Sequence, residues 1–143
     1  MKIFIACDHA AFESKEAVRA HLKGKDLVDL GTHSLDSVHY PDYAVRLAEE
    51  VLKHPGSRGI LLCGSGIGVS IVANRFKGIR AALCRDEADA KMCRLHNDAN
   101  VLCLSGRKTP VAAALKMADL FLATDFEGGR HQQRLDIFKE LGC

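Results

Sequence analysis

The stretch Cys63-Gly64-Ser65-Gly66-Ile67-Gly68 is the part of this 143-residue chain best equipped for chemistry. Glycines at alternate positions let a backbone turn tightly and approach a ligand with no Cβ in the way. A helix predicted from about Ile67 adds unpaired N–H groups and the positive end of its dipole. Such a cradle suits a phosphate or a developing enolate oxygen; the same residues also suit a tight strand-to-helix turn that binds nothing. Cys63 opens the loop, and a helix N-terminus favours the thiolate form that serves as base or nucleophile. The competing reading is a small apolar residue closing a strand, the role expected for Cys7, Cys84 and Cys103. Two familiar motifs fail. A dinucleotide fingerprint requires glycine where Val69 stands and belongs after the first strand, although Asp86 lies at a distance suited to a ribose-binding acid. A cysteine phosphatase loop requires arginine at that same position.

The second signal is Gly128-Gly129-Arg130-His131-Gln132-Gln133-Arg134. Arg130 and Arg134, at i and i+4, share one helix face. Like charges there repel one another and oppose the helix dipole. Around a dianion the arrangement becomes favourable, because guanidinium groups match phosphate oxygens in a bidentate way. A solvated basic patch, or pairing with Glu127 and Asp136, is the alternative. Arg107 is a candidate third member. Among the histidines, His21, His33, His39 and His54 read as solvated positions, whereas His9 and His96 neighbour polar groups. Imidazole exchanges protons near neutral pH, so His96 suits proton transfer. Neither H-x-x-x-H spacing nor a cysteine cluster is present, so no metal and no cofactor are expected.

An alternation of short apolar runs and helical patterns must position these residues. Ile3–Cys7, Leu27–Leu30, Gly59–Cys63, Ile79–Cys84 and Asn100–Leu104 are continuous apolar runs, as in parallel strands covered on both faces. Ala44, Leu47, Ala48, Val51 and Leu52 follow a helical period, as do Ala88, Met92 and Leu95, and Val111, Leu115, Ala118 and Leu122. The first helix, about Ala11 to Leu22, is interrupted by Ser14 and Lys15; the last runs from about Arg130 to Leu141. The predicted fold class is α/β, a three-layer α/β/α sandwich with right-handed crossovers. In such sheets the ligand crevice lies outside the carboxyl ends of the strands. Cys7-Asp8-His9, the Cys63 loop, Cys84-Arg85-Asp86 and Ser105-Gly106-Arg107 fall there, and His96-Asn97-Asp98 is expected at the same rim.

Composition bounds the rest. Apolar residues make up 48% and charged residues 27%, which excludes intrinsic disorder. The length predicts a single domain over residues 1–143. A net charge of +2 gives no reason to expect a nucleic acid or an acidic membrane as partner. No apolar run approaches the ~18 residues of a membrane span, and Ile3–Cys7 is too short for a signal-peptide core. Six scattered cysteines suit free thiols in the cytoplasm.

Taken in order, Cys7-Asp8-His9, Tyr40-Pro41-Asp42-Tyr43, the Cys63–Gly68 loop, Asn74, His96-Asn97-Asp98-Ala99-Asn100-Val101 and the Gly128–Arg134 stretch resemble the type B ribose-5-phosphate isomerase family. That family also includes allose- and galactose-6-phosphate isomerases. The resemblance runs over nearly the whole chain. Galactose-6-phosphate isomerase subunits typically lack the last stretch, which favours the ribose branch. The resemblance implies a five-stranded parallel, Rossmann-like sheet of order 2-1-3-5-4, and homodimers that often pair into tetramers. It also implies interconversion of ribose 5-phosphate and ribulose 5-phosphate through an enediolate, a step of the non-oxidative pentose phosphate pathway. Cys63 is then the base that shuttles the proton; a family branch that uses a Glu instead would carry it where Val69 stands. Ser65 moves protons between the sugar oxygens, and backbone N–H groups from Gly64 through Gly66, Ile67 and Gly68 to Ser70 stabilise the enediolate. His96 opens the furanose ring and Asp8 binds sugar hydroxyls. Tyr40 and Asn97 line the pocket, and His9, Arg107, Arg130 and Arg134 grip the phosphate. His96 and Asn97 reach the site from the neighbouring subunit. A hexose-6-phosphate isomerase of the same family, a non-catalytic phosphosugar sensor and a nucleotide-binding module are the alternatives.

Overall fold

The computed structural model describes residues 1–143 and contains the predicted alternation. Strands β1 (Ile3–Cys7), β2 (Leu27–Asp29), β3 (Arg58–Cys63), β4 (Ala81–Leu83) and β5 (Val101–Ser105) form one parallel sheet in the order β2-β1-β3-β5-β4. The α-helices are α1 (Phe12–His21), α2 (Tyr40–Lys53), α3 (Ile67–Ala73), α4 (Glu87–Asn97), α5 (Val111–Ala123) and α6 (Arg130–Phe138). Side chains alternate across a strand, so the sheet has two cores. Ile3, Ile5, Ile60, Leu62 and Leu104 pack under α1, α4 and α5, while Phe4, Ala6, Leu61, Val101 and Cys103 pack under α2 and α3. No helix is long and apolar enough to cross a membrane.

Four helices and one strand differ in detail from the sequence reading, for reasons of charge and packing. α1 follows a 3₁₀ turn over His9–Ala11, and the two residues that interrupt its apolar pattern, Ser14 and Lys15, are both buried. Lys15 is fully enclosed, and its ammonium meets Asp29 at 2.6 Å and Glu16 at 3.2 Å. In α4 the Ala88–Met92–Leu95 stripe is not the packed face; Ala90, Cys93 and Arg94 are, and Met92 is 41% exposed. Arg94 is tolerated there because it pairs with Asp98 and donates to the carbonyls of Ala99 and Thr124. In α5 the buried line is Ala114, Met117, Ala118 and Phe121, one position off the predicted stripe. β4 is shorter than the run Ile79–Cys84, since the Arg80 N–H turns to the Asn100 side chain. The last helix stops at Phe138, and the tail instead exchanges backbone hydrogen bonds between Cys143 and both Arg75 and Lys77.

Removing the partner of a buried charge costs several kcal/mol. Asp29→Ala is therefore expected to lower stability by about 3 kcal/mol, read as a drop in the urea midpoint with unchanged slope. A change under about 0.5 kcal/mol would mean that Glu16 alone satisfies Lys15.

Candidate active site

β3 delivers Cys63 to the carboxyl edge of the sheet, and the chain then turns directly into α3. The turn requires Gly66, whose φ is +76° and whose added Cβ would lie 2.6 Å from Leu83 and 3.0 Å from the Leu104 carbonyl. The Gly66 N–H donates to Cys63 Sγ at 3.1 Å, so the loop aims a backbone donor at the sulfur. Cys63 is buried. Ser65 is exposed, and its Oγ accepts from the Ile67 N–H at 3.1 Å, which leaves the hydroxyl proton free to be donated. The Ser70 N–H is the first to reach back into the turn, to Gly66 O. The Gly68 and Val69 N–H groups have no acceptor within the chain, as expected of a first helical turn. The Ser70 hydroxyl donates to Ile67 O and faces the helix backbone.

The neighbouring strands complete this rim. Asp8, at the end of β1, is buried and caps the 3₁₀ turn through Oδ1, which accepts from the Ala10 N–H. Its Oδ2 makes no hydrogen bond within the chain. The Val38 N–H donates to His9 Nδ1 at 3.2 Å; with that nitrogen an acceptor, the neutral ring carries its proton on Nε2. At the end of β5, Ser105 Oγ donates to Gly64 O at 2.7 Å and fastens the cysteine loop to the next strand. The Arg107 guanidinium lies against Gly64, where a Cβ would be 2.9 Å away, and the Tyr40 ring lies against Gly68 at 2.6 Å. Two of the three loop glycines are thus glycines so that an arginine and a tyrosine can reach the rim.

Cys7 and Cys103 have the structural role expected of them. Both are fully buried, and burial pushes the Cys7 thiol up to about 12. Asn74, recognised in the sequence without a role, bridges α3 to β4 by a reciprocal pair of 2.8 Å bonds with the Ala81 backbone.

His96 and Asn97 do not join this rim, contrary to the sequence reading. Arg80, just ahead of β4, donates to the carbonyls of Asn97 and Asp98, and Asn100 O accepts from Gly59 N at the start of β3. The end of α4 therefore lies at the amino edge of the strands. Gly59 to Cys63 is four residues, about 13 Å of strand, so one chain cannot bring Cys63 and His96 to a single ligand. The physical reason is direction: a helix leading into a parallel strand ends where that strand begins.

At this second locus the chain gathers α4 and α6. The His96 ring stacks on His131, with centroids 4.3 Å apart and planes 16° from parallel. His131 is buried, its Nε2 lacks a hydrogen-bond partner, and Glu127 Oε1 is 3.7 Å from it. Burial, with His96 and Arg130 nearby, holds this imidazole below the ordinary histidine range. Arg130 and Arg134 are exposed and form no ion pair, because Glu127 faces His131 and Asp136 is taken by Gln132 and Lys139. His131 was not singled out in the sequence; its place three residues before Arg134 on the same helix was the available signal. His96, Glu127 and His131 also lie close enough to hold a metal ion. The stacked rings argue against it, since one ion cannot lie in two parallel imidazole planes.

The model of the ribose/galactose isomerase family matches residues 3–138. The probable ribose-5-phosphate isomerase B of Mycoplasma pneumoniae is 48% identical over 136 residues, covering 93% of this chain and 90% of that one. Among solved structures, ribose 5-phosphate isomerase B of Thermotoga maritima superposes with a TM-score of 0.94 at 49% identity, covering 98% of each chain. The Mycoplasma genitalium enzyme, crystallised with bound ribulose-5-phosphate, gives 0.93 at 44% identity, covering 96% of this chain and 93% of that one. Matches of this identity and length, on a chain that keeps the cysteine loop and the Gly-Gly-Arg-His stretch in one ordered fold, establish that it belongs to the ribose/galactose isomerase family.

Proposed function

We propose that this protein is an aldose–ketose isomerase that interconverts D-ribose 5-phosphate and D-ribulose 5-phosphate, the sugar-phosphate step of the non-oxidative pentose phosphate pathway. The observation that carries the reading is the cysteine loop, where a buried thiol, a backbone N–H aimed at it and two unpaired helix N–H groups converge. The ribulose-5-phosphate bound to the Mycoplasma genitalium relative supports the five-carbon substrate. Free thiols at all six cysteines suit a reducing compartment, so the place of action is the cytoplasm.

His96 protonates the ring oxygen and accepts the hydroxyl proton as the furanose opens to the aldehyde. Cys63 then takes the proton from C2, and negative charge develops on the C1 oxygen. The Gly68 and Val69 N–H groups face that oxygen; preorganised donors of this kind lower a barrier by ~3 kcal/mol each. Ser65 passes a proton between the oxygens on C1 and C2, and Cys63 returns its proton to C1. Asp8 uses its free Oδ2 to hold a sugar hydroxyl, Tyr40 and Asn97 wall the pocket, and His9, Arg107, Arg130 and Arg134 bind the phosphate.

His96, Asn97, Arg130 and Arg134 come from a second copy of the chain, making a homodimer with two shared sites; two dimers assembling into a tetramer extend the same reading. The separation of the two loci within one chain supports this arrangement. So does an apolar patch beside the cysteine loop: Ile67 and Ile71 of α3 are 52% and 61% exposed, with half-open Leu83 next to them. A patch of this kind seeks a protein surface.

The test is direct. Purified protein is expected to turn over ribose 5-phosphate with higher kcat/KM than allose 6-phosphate; a preference for the six-carbon sugar would reassign the substrate, and turnover of neither would leave a phosphosugar-binding role. Arg134→Ala is expected to raise KM for ribose 5-phosphate about 10–100-fold with kcat little changed, the cost of one charge-assisted phosphate contact. An unchanged KM would remove Arg134 from the phosphate site.

A further inference from the structure

Two cysteines outside the proposed site lie side by side. Cys84 follows β4 directly, Cys93 is on the packed face of α4, and their sulfur atoms are 3.8 Å apart, with the Cys84 thiol donating to Cys93 Sγ. Both belong to the core beneath α1, α4 and α5, whereas Cys63 and Cys103 belong to the core on the opposite face of the sheet. The sheet thus separates this pair from the cysteine of the proposed site. A disulfide needs sulfurs about 2.05 Å apart, so closure asks each side chain to move by roughly 1 Å, within reach of a side-chain rotation. Cys93 is 8% exposed and Cys84 2%, which leaves Cys93 the sulfur that a small oxidant meets first.

We infer that Cys84 and Cys93 are a modification site, a thiol pair that hydrogen peroxide converts to a reversible intramolecular disulfide. The step balances in two parts. Cys93 sulfur attacks a peroxide oxygen, the O–O bond breaks, and Cys93 sulfenic acid forms with release of water. The Cys84 sulfur then attacks the Cys93 sulfur, the S–O bond breaks, and a second water leaves with the Cys84 proton. Two electrons pass from the thiol pair to the peroxide. The hydrogen bond from Cys84 and the charge of Arg94 hold the Cys93 thiol below its ordinary range, while Cys84 is pushed up, which assigns attack to Cys93 and resolution to Cys84. The bridge fastens the end of β4 to α4, whose last turn carries His96 and Asn97. Its formation does not depend on the isomerase reading.

The test uses the folded full-length protein and hydrogen peroxide, followed by alkylation of remaining thiols and tryptic mapping without reductant. Residues 81–85 and 92–94 fall in separate tryptic peptides. The expected result is that these two peptides run as one linked species, 2 Da lighter than their sum, and separate with dithiothreitol. Cys84→Ser is expected to stop at the Cys93 sulfenic acid, captured by dimedone. Cys93→Ser is expected to leave Cys84 reduced. Alkylation of both thiols in peroxide-treated wild type, or a link joining any other pair, would overturn the inference.

Discussion

Cys63→Ala is expected to lower kcat for ribose 5-phosphate by about 10⁴-fold, equivalent to about 5.5 kcal/mol of barrier. The size follows from what is lost. The alanine methyl cannot accept the C2 proton, and no other titratable side chain shares the loop from Gly64 to Ser70. Substrate binding is expected to survive, because the proposed phosphate and hydroxyl contacts come from other elements and only one buried sulfur is removed. Calorimetric titration with ribose 5-phosphate, beside steady-state kinetics, separates the two effects. Cys63→Ser sharpens the comparison, since its oxygen still accepts the Gly66 N–H but is far less acidic than a thiol. A kcat within tenfold of wild type in Cys63→Ala would remove Cys63 from the mechanism.

The second large effect concerns the proposed sharing of each site between two chains. Cys63→Ala and His96→Asn homodimers are each expected to be inactive or nearly so, a loss of at least 10²-fold. A hybrid dimer containing one chain of each kind is expected to recover about half of wild-type turnover, because two-fold symmetry gives it one site with both residues intact. The same hybrid would stay inactive if Cys63 and His96 acted within one chain, since then each site lacks one of them. Co-expression with two affinity tags isolates the hybrid, and its activity against the parents decides the matter. The structural basis is the placement of His96 at the amino edge of the strands and Cys63 at the carboxyl edge. The exposed Ile67 and Ile71 beside the loop are the surface that the proposed dimer would cover.

These two experiments read different layers of the design. The first reads atoms that one chain places within hydrogen-bond distance. The second reads an arrangement that one chain leaves incomplete. Arg130 and Arg134 belong to the second layer. Both are exposed and form no ion pair with a carboxylate of their own chain, an arrangement that costs repulsion unless an anion is brought to them.

Much of the fold was legible because its signals are local. Five mainly apolar runs became the five strands, since the central strands β1, β3 and β5 are buried along almost their whole length. The glycine loop was legible for a steric reason that acts over three residues, and the arginine pair for a helical period of four. Helix faces were less so. Lys15 and Arg94 look polar in sequence yet lie buried, because Asp29 reaches one and Asp98 with two carbonyls reaches the other. Asp29 and the Thr124 carbonyl are on other elements, and although Asp98 lies at i+4 from Arg94, that spacing alone does not show that the pair is drawn into the core.

By itself, then, the sequence determined the class of fold and singled out the cysteine loop and the arginine pair as candidates for chemistry and anion binding, since each signal rests on short-range sterics, periodicity or charge. Only the tertiary structure decided which candidate residues share an end of the sheet, that His131 stacks on His96, and that Cys84 meets Cys93. The reason is that parallel strands and their return helices run in opposite directions. Residues near in sequence are carried to opposite edges, and residues far apart are brought together by a packing direction that no local stretch of chain specifies.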